Sequence, residues 1–303
     1  MDSGLIQFHV EIDRADMTLG DYLRKVKHIS AKALTRLKHH GQVLVNGESF
    51  LLKDRIQAGD CISLIYPPQQ ASEYLQPEYL PLNIIYEDQD VLVINKGAGI
   101  CVHPTKGYPC GTLANGILYH WEKNGETAYV HFVNRLDKDT SGLVLVAKHT
   151  YSAQQLFCQQ KKGIITRQYL GLITGIMPES AGIINLPIGR LPGKTTKRII
   201  SPEGLPAVTH FQVLEIIGGY TLLKLTLETG RTHQIRVHLS HLGYPLVGDE
   251  LYGGESFLAS RQLLHAFCLT FIHPRSGEEL KFSVPWPEDM DHIINKLKNN
   301  IMK

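Results

Sequence analysis

The sequence predicts an α+β protein in which a small N-terminal α/β module precedes a large mixed, mainly antiparallel sheet with flanking helices. Its 303 residues exceed the length that one hydrophobic core usually serves. In the larger part, strand-like runs dominate without a regular strand–helix alternation, which disfavours a doubly wound parallel sheet. Residues 67–80 lack periodicity and contain three prolines. We therefore expect a small domain at 1–66, a linker at 67–80 and a large domain at 81–303.

The small N-terminal domain is predicted from capping and turn residues. Ser and Thr are preferred helix N-caps, and an Asn-Gly pair between apolar runs is typical of a tight hairpin. The predicted elements, in order, are a short helix capped by Thr18, a helix from Ser30 to His40 that Gly41 ends, a strand at 42–45, a turn at Asn46 and Gly47, and a closing strand at 61–66.

Positive charge is concentrated in this small domain. The whole chain has a formal net charge of only +2, but residues 14–55 hold nine Lys or Arg against four Asp or Glu. Lys32, Arg36 and His40 recur at helical spacing, while the leucines of the same helix point elsewhere. A basic helix face of this kind either binds a polyanion or is simply solvated.

The large domain is expected to contain more strand than helix. Apolar and β-branched runs predict strands at 91–95, 143–148, 169–174, 211–216, 222–228 and 279–284. Predicted helices lie at 111–122, 152–162 and 232–242, and a last one at 289–303.

The densest polar cluster is the segment 134–142, which directly precedes the apolar strand predicted at 143–147. It contains two acidic and two basic side chains, including Asp137 and Asp139. Polar groups at the end of a core strand are rigidly held yet accessible, which suits catalysis. An ion-paired loop without a function would have the same composition.

A second cluster, at 227–238, combines a strand end, a glycine turn and the start of a helix. Arg231 follows the glycine beside a helix N-terminus, where backbone N–H groups and a guanidinium can stabilise an anion. Its natural partner is a carboxylate from the segment 134–142. His238 and His241 are spaced i, i+3, but without a further ligand motif they do not indicate a metal site.

Seven ordered blocks of the large domain resemble the RluA-type RNA pseudouridine synthases. They are V-H-P-T-x-G-x-x-x-G-T-L (102–113), R-L-D-K-D-T-S-G-L (135–143), R-Q-Y-L-G-L-I-T-G (167–175), P-I-G-R (187–190), E-T-G-R-T-H-Q-I-R-V-H-L (228–239), G-Y-P-L-V-G-D-x-x-Y-G (243–253) and R-Q-x-L-H-A-x-x-L-x-F-x-H-P-R-S-G-E (261–278). Residues 17–66, with V-L-V-N-G and G-D-x-I-x-L, resemble an S4 RNA-binding domain.

The resemblance implies an isomerase that converts uridine in ribosomal or transfer RNA to pseudouridine. The C1'–N1 bond of the nucleotide breaks, and the uracil turns and rejoins the sugar through C5. Because no atom is gained or lost, the reaction requires no ATP, redox cofactor or metal. The implied partner is structured RNA, and we expect a monomer.

The resemblance also assigns roles to individual residues. Asp137 matches the essential aspartate of the family, whether it attacks C1', adds to the base or acts as a base toward C2'. Tyr169 matches the tyrosine that stacks on the target base. Arg231 matches the arginine that pairs with the catalytic aspartate. Arg135 matches the residue that enters the RNA stack when the uridine flips out.

Three basic residues of the S4-like segment, Lys32, Arg36 and Lys38, are the expected phosphate contacts. One departure from the family lies beside the catalytic motif. Asn134 stands where many members have His, and an amide can hydrogen-bond but cannot take a charge.

Two other functions stay open at this point. The chain could be an RNA-binding protein that has lost activity, or a hydrolase that uses Asp137 with Asp139 as its second carboxylate. No apolar run reaches the ~20 residues that span a bilayer, and the first residues lack the basic stretch of a signal peptide. The five widely spaced cysteines suggest neither a disulfide framework nor a zinc ribbon. We expect a cytoplasmic protein without a metal.

Overall fold

The computed structural model describes residues 5–66, 75–126, 129–193 and 195–301. Over these residues it confirms the predicted α+β class, because the largest sheet has ten strands and all but one of its pairings are antiparallel. Of the predicted linker at 67–80, residues 67–74 lie outside the described residues. The same holds for positions 302 and 303 of the predicted last helix.

Residues 5–66 form a separate four-stranded antiparallel sheet with the strand order β1-β4-β2-β3. Its elements are β1 (Leu5–His9), α1 (Leu19–Asp21, continued by the π-helical turn Tyr22–Val26), α2 (Ala31–His40), β2 (Gln42–Val45), β3 (Glu48–Ser49) and β4 (Cys61–Ile65).

The capping and turn predictions in this segment are confirmed. The Thr18 hydroxyl accepts a hydrogen bond from the Asp21 amide, and the Ser30 hydroxyl accepts one from the Ala33 amide. Asn46 and Gly47 both have positive φ, at 53° and 87°, as a two-residue type I' hairpin requires. Gly41 ends α2 where a side chain would collide with the carbonyl oxygen of Ile65.

The remaining elements belong to the large domain. The strands are β5 (Ile84–Glu87), β6 (Val91–Lys96), β7 (His131–Phe132), β8 (Ser141–Ala147), β9 (Thr166–Thr174), β10 (Ala181–Asn185), β11 (Ile188–Arg190), β12 (Arg198–Ile200), β13 (Val208–Ile217), β14 (Tyr220–Leu227), β15 (Leu264–Ile272) and β16 (Glu279–Ser283). The helices are α3 (Leu113–Lys123), α4 (Thr150–Lys161), α5 (Gln234–His241) and α6 (Glu288–Ile301).

The large sheet has the order β10-β13-β14-β9-β15-β8-β6-β5, while β16 pairs with β15 and β7 pairs with β8. The sequence did not predict β15, although this strand lies at the centre. It joins the two halves of the sheet, pairing antiparallel with β9 and parallel with β8. Because both of its faces are buried, its sequence lacks the apolar–polar alternation that identifies a half-buried strand.

Helices cover both faces of this sheet. On one face, α3 and α5 enclose the core that contains Leu136, Tyr169 and Ile235. On the other face, α4 packs over β8 and β15, and α6 packs over β9 and β14. The loop before β8, the middle of β9 and the start of α5 therefore meet on the α3 and α5 side.

The N-terminal segment contacts the large domain through α4. Tyr151 is buried in the N-terminal core, 5.6 Å from the Phe8 ring. The side-chain amides of Gln154 and Gln155 donate to the carbonyl oxygens of His28 and Lys27, at 2.9 and 2.6 Å. Among the described residues, no helix combines the length and apolar character needed to cross a membrane.

His265, near the start of β15, makes stability depend on pH. Its side chain is 1% exposed, and Nδ1 lies 2.9 Å from the Ser141 hydroxyl. Burial lowers the pKa of His265 from 6.5 to about 4. Below pH 6.5 the unfolded chain therefore binds a proton that the folded chain excludes, so this contribution to stability is lost as pH falls from 6.5 toward 4.

We expect His265→Asn to remove this pH dependence of the free energy of unfolding. For a pKa shift of this size, the loss of stability reaches about 3 kcal/mol. Asn keeps a polar partner for Ser141 but does not titrate. Urea unfolding of both proteins from pH 8 to pH 4.5 checks this, with the pH 8 values as baseline. Parallel stability curves for the two proteins would show that His265 is not responsible.

Candidate active site

A cavity of about 500 Å³ collects four of the residues predicted from sequence: Arg135, Asp137, Tyr169 and Arg231. The other three, Lys32, Arg36 and Lys38, do not line it. They lie exposed on α2 in the N-terminal segment. The structure thus brings together the two polar clusters of the large domain. Their direct contact, between Asp137 and Arg236, joins residues that are 99 positions apart in the chain.

Asp137 lies in the loop between β7 and β8, which is anchored on both sides of the carboxylate. The Asn134 side chain donates to the Leu143 carbonyl at 3.1 Å and accepts from the Leu145 amide at 2.7 Å. This amide pairing fixes the loop to β8, so Asn134 has a structural role that needs no charge. Beyond Asp137, the Arg261 guanidinium donates to the Asp139 carbonyl at 3.0 Å.

A buried lysine holds the same loop through hydrogen bonds to backbone carbonyl oxygens. Lys96, 1% exposed, donates to the carbonyl oxygens of Gly97, Ile100 and Lys138 at 2.7, 3.0 and 2.9 Å. Burial lowers the pKa of Lys96 to about 8, while the nearby Asp139 and Asp137 charges oppose the shift. All three ammonium donors are used, so Lys96 ties the loop to the end of β6.

The partner of Asp137 is Arg236, and the prediction that Arg231 pairs with it is wrong. Nη1 of Arg236 lies 2.9 Å from Oδ2 of Asp137. Arg231 instead donates from Nε to the Pro206 carbonyl at 3.0 Å, on the partly exposed rim of the cavity. Arg231 precedes α5 and is held at the Pro206 carbonyl, whereas Arg236 lies in the first turn of α5 and is 7% exposed.

A second carboxylate fixes the position of Arg236. Nε and Nη2 of Arg236 donate to the two oxygens of Asp249, each at 2.7 Å, and Asp249 is 1% exposed. Burial alone would lower the pKa of the guanidinium, but the hydrogen bonds and charges of Asp249 and Asp137 outweigh burial and raise that pKa. This bidentate pair with Asp249 holds the third guanidinium nitrogen, Nη1, at a defined point beside Asp137.

His233 and Tyr252 complete the surroundings of the Asp137 carboxylate. His233 has a left-handed backbone, with φ 58° and ψ 20°, directly before α5. Its Nε2 lies 4.0 Å from Oδ2 of Asp137, and its Nδ1 lies 2.9 Å from the Tyr252 hydroxyl. Burial lowers the pKa of His233, which favours a neutral ring. A strained non-glycine backbone at this point is typical of functional sites.

Tyr169 lies on β9 with its ring in the cavity wall and 5% of its surface exposed. Burial raises the pKa of its hydroxyl, and the Asp137 charge acts in the same direction. The ring therefore stays a neutral phenol. Because the hydroxyl has no hydrogen-bond partner within the described ranges, it can bind a group that enters the cavity.

Arg135 is exposed at the mouth of the cavity, two residues before Asp137. Burial lowers the pKa of His103, which lines the same cavity, and the Arg135 charge acts in the same direction. The position fits a side chain that extends toward a bound partner. Asp139 does not line the cavity that contains Tyr169; it lines an adjoining cavity together with Asp137 and Asp249.

The possible metal ligands are occupied by protein donors and acceptors. His238 bonds Thr209 through Nδ1 and the Leu186 carbonyl through Nε2. In the described part of the chain, one group has the spacing of a metal site: Asp88, Asp90 and His273. Its carboxylates accept hydrogen bonds from the side chains of Tyr86, His149, Ser152 and Arg275. Within the group, Nε2 of His273 lies 2.9 Å from Oδ2 of Asp88.

Four residues of the site were not predicted from the sequence: Arg236, Asp249, His233 and Tyr252. One signal could have indicated the first two. Asp249 follows the apolar run 244–248, so a buried carboxylate was to be expected there, and such a carboxylate needs a cation. No comparable signal exists for His233, since its importance follows from a distance across the fold.

Comparisons with known proteins show which family the chain resembles. The sequence profile of a family described as RNA pseudouridylate synthase matches residues 90–241. The chain is 44% identical over 279 residues to the uncharacterized RNA pseudouridine synthase YjbO of Bacillus subtilis, covering 92% of this chain and 98% of that protein. It is 39% identical over 265 residues to ribosomal large subunit pseudouridine synthase D of Haemophilus influenzae, covering 83% of this chain and 81% of that protein.

Two solved human structures with RNA pseudouridylate synthase domains resemble this structure. Human RNA pseudouridylate synthase domain containing 4 superposes with a TM-score of 0.58 at 26% identity, covering 71% of this chain and 93% of that one. Human RNA pseudouridylate synthase domain containing 1 has a TM-score of 0.55 at 29% identity, with 72% and 95% covered.

Proposed function

Because the chain belongs to the RNA pseudouridylate synthase family and isomerises uridine in RNA to pseudouridine, we propose that Asp137 is the carboxylate that acts on the target nucleotide. The observation that supports this role is the 2.9 Å contact between Arg236 and Oδ2 of Asp137, in the cavity that Tyr169 also lines. Both donors near Asp137 approach Oδ2. Oδ1 has no hydrogen-bond partner within the described residues and remains available to substrate.

The reaction breaks the C1'–N1 bond and forms a C1'–C5 bond, so every heavy atom of the uridine is retained. The hydrogen on C5 leaves to water, and N1 gains a proton. In our proposal Asp137 acts on the sugar or base while Arg236 fixes its orientation. Tyr169 stacks on the uracil, and Arg135 fills the space that the flipped nucleotide leaves in the RNA.

We also propose that residues 1–66 are an S4-like RNA-binding domain whose α2 contacts phosphates. Lys32, Arg36 and Lys38 are exposed, and no ion pair engages them among the residues described. Burial lowers the pKa of His131 on β7, and the charge of Arg36 contributes to that shift. The charge of Arg36 thus acts on the strand that leads into the Asp137 loop, and in this proposal one RNA contacts both.

The proposed substrate is ribosomal or transfer RNA. The Haemophilus influenzae relative is a ribosomal large subunit pseudouridine synthase, which favours RNA of the large ribosomal subunit. We propose that the enzyme acts as a cytoplasmic monomer without a metal. Mapping pseudouridines in cells with and without the gene identifies the target uridines.

The central experiment incubates the purified protein with 5-tritiated uridine transcripts of large-subunit ribosomal RNA and of transfer RNA. Formation of pseudouridine releases the C5 hydrogen, so tritium should appear in water. If neither the ribosomal nor the transfer RNA transcript releases tritium, the proposed substrates are wrong. Free uracil among the products would instead favour a hydrolase.

We expect Lys32→Ala combined with Arg36→Ala to weaken RNA binding at 150 mM salt and to lower the salt slope of log Kd by about 2, because each phosphate contact contributes about one released ion. Filter binding at several salt concentrations measures both effects. Lys281→Ala combined with Lys296→Ala removes the same charge from β16 and α6 and serves as the control. Equal slopes for all three proteins would mean that α2 is only a solvated surface.

A further inference from the structure

One buried arginine of the cavity has no anionic partner among the described residues. Arg167 lies on β9 two residues before Tyr169, on the same face of the strand. Its side chain is 5% exposed and lines the cavity. No carboxylate of the described residues lies within ion-pair distance, and Nε is fully enclosed without a hydrogen-bond partner among them.

The other buried arginines of this region are fully paired. Arg236 is held by Asp249 and Asp137, and Arg261, 8% exposed, donates from Nε and Nη2 to the two oxygens of Asp289. An unpaired buried guanidinium is unfavourable because its desolvation is not compensated by an opposite charge. Arg167 thus has the properties of a binding group whose partner arrives with the ligand.

Gly230 makes room for this guanidinium. A Cβ at position 230 would lie 2.7 Å from Nη1 of Arg167, closer than such atoms approach one another. Gly230 does not have the positive φ that marks the conformationally required glycines of this chain. A side chain at position 230 would force the guanidinium of Arg167 to shift, so the glycine of the E-T-G-R motif leaves space for it at the cavity wall.

We propose that Arg167 and Gly230 form the site for a backbone phosphate of the target nucleotide, beside the ring on which its base stacks. This inference rests on the proposed function, since it takes the ligand to be RNA. Among the groups of RNA only the phosphodiester carries the negative charge that a buried cation needs. Arg167 and Tyr169 are separated by about 7 Å along the strand, so they can contact different parts of one nucleotide.

Replacing the arginine separates a binding role from a structural one. We expect Arg167→Met to raise the melting temperature of the RNA-free protein by about 2–4 °C, because an uncompensated charge is removed from the interior. In the tritium assay the same variant should lose about 10- to 100-fold in kcat/KM. Arg167→Lys should retain more activity than Arg167→Met. Lys281→Met, an exposed control, tests whether loss of any positive charge has these effects.

Small ligands identify the group that Arg167 binds. Uridine 5'-monophosphate or uridine 3'-monophosphate should raise the melting temperature of the unmodified protein more than uridine does at equal concentration. In Arg167→Met this difference should disappear while the response to uridine remains. If Arg167→Met loses the response to uridine as well, the guanidinium binds the base and the proposal is overturned.

Two further results would also overturn it. One is an equal response of the unmodified protein to nucleotide and nucleoside. The other is a fall in melting temperature for Arg167→Met with unchanged kcat/KM, which would assign Arg167 a purely structural role. These outcomes are distinct from failure of the proposed function, because that failure appears as absence of tritium release from the unmodified protein.

Discussion

Asp137→Asn is expected to reduce tritium release from uridine-labelled RNA by about 10³-fold or more, while RNA affinity stays within about twofold. The substitution keeps the size of the side chain but removes its negative charge. Binding should persist because it depends mainly on phosphate contacts elsewhere, and only 24% of the Asp137 side chain is exposed. Single-turnover kinetics and filter binding measure the two quantities on the same preparation.

The matched control is Asp139→Asn, the same change two residues along the loop. Asp139 does not line the cavity that contains Tyr169, so we expect most of the turnover to remain. A loss as large as that of Asp137→Asn would favour a two-carboxylate glycosidase. Full activity of Asp137→Asn would remove Asp137 from the mechanism.

Arg236→Gln should reduce both stability and turnover. Loss of the guanidinium leaves Asp249 buried without a counter-charge, which destabilises a protein by about 3–5 kcal/mol. It also removes the 2.9 Å contact that orients Asp137, and misplacement of a catalytic group by about 1 Å costs about 10²-fold in rate. Urea unfolding and the tritium assay report the two losses.

A double variant separates these effects. Arg236→Met combined with Asp249→Asn removes the buried charge pair as a unit, so stability should recover toward that of the unmodified protein while turnover stays low. Recovery of both would mean that Arg236 acts only through folding. The originally predicted pairing is tested by Arg231→Gln: if that variant alone abolishes turnover at constant stability, Arg231 and not Arg236 assists Asp137.

Local elements were predictable because short-range chemistry decides them. The Ser30 cap, the Asn46 and Gly47 hairpin and the helix that begins near Thr150 depend on residues only a few positions apart. The central strand β15 was missed for a tertiary reason. Its sequence has no periodicity, because β8 and β9 flank it and helices cover both faces.

The sequence by itself determined the α+β class, through strand and helix patterning, and the motifs that carry Asp137, Tyr169 and Arg135. Only the tertiary structure decided that Arg236 and not Arg231 contacts Asp137, and that Arg167 is buried without a carboxylate. The physical reason is that charge pairing depends on distance in space. In this protein the two arginines of one motif point in different directions, and the direction is set by packing against residues far away in the chain.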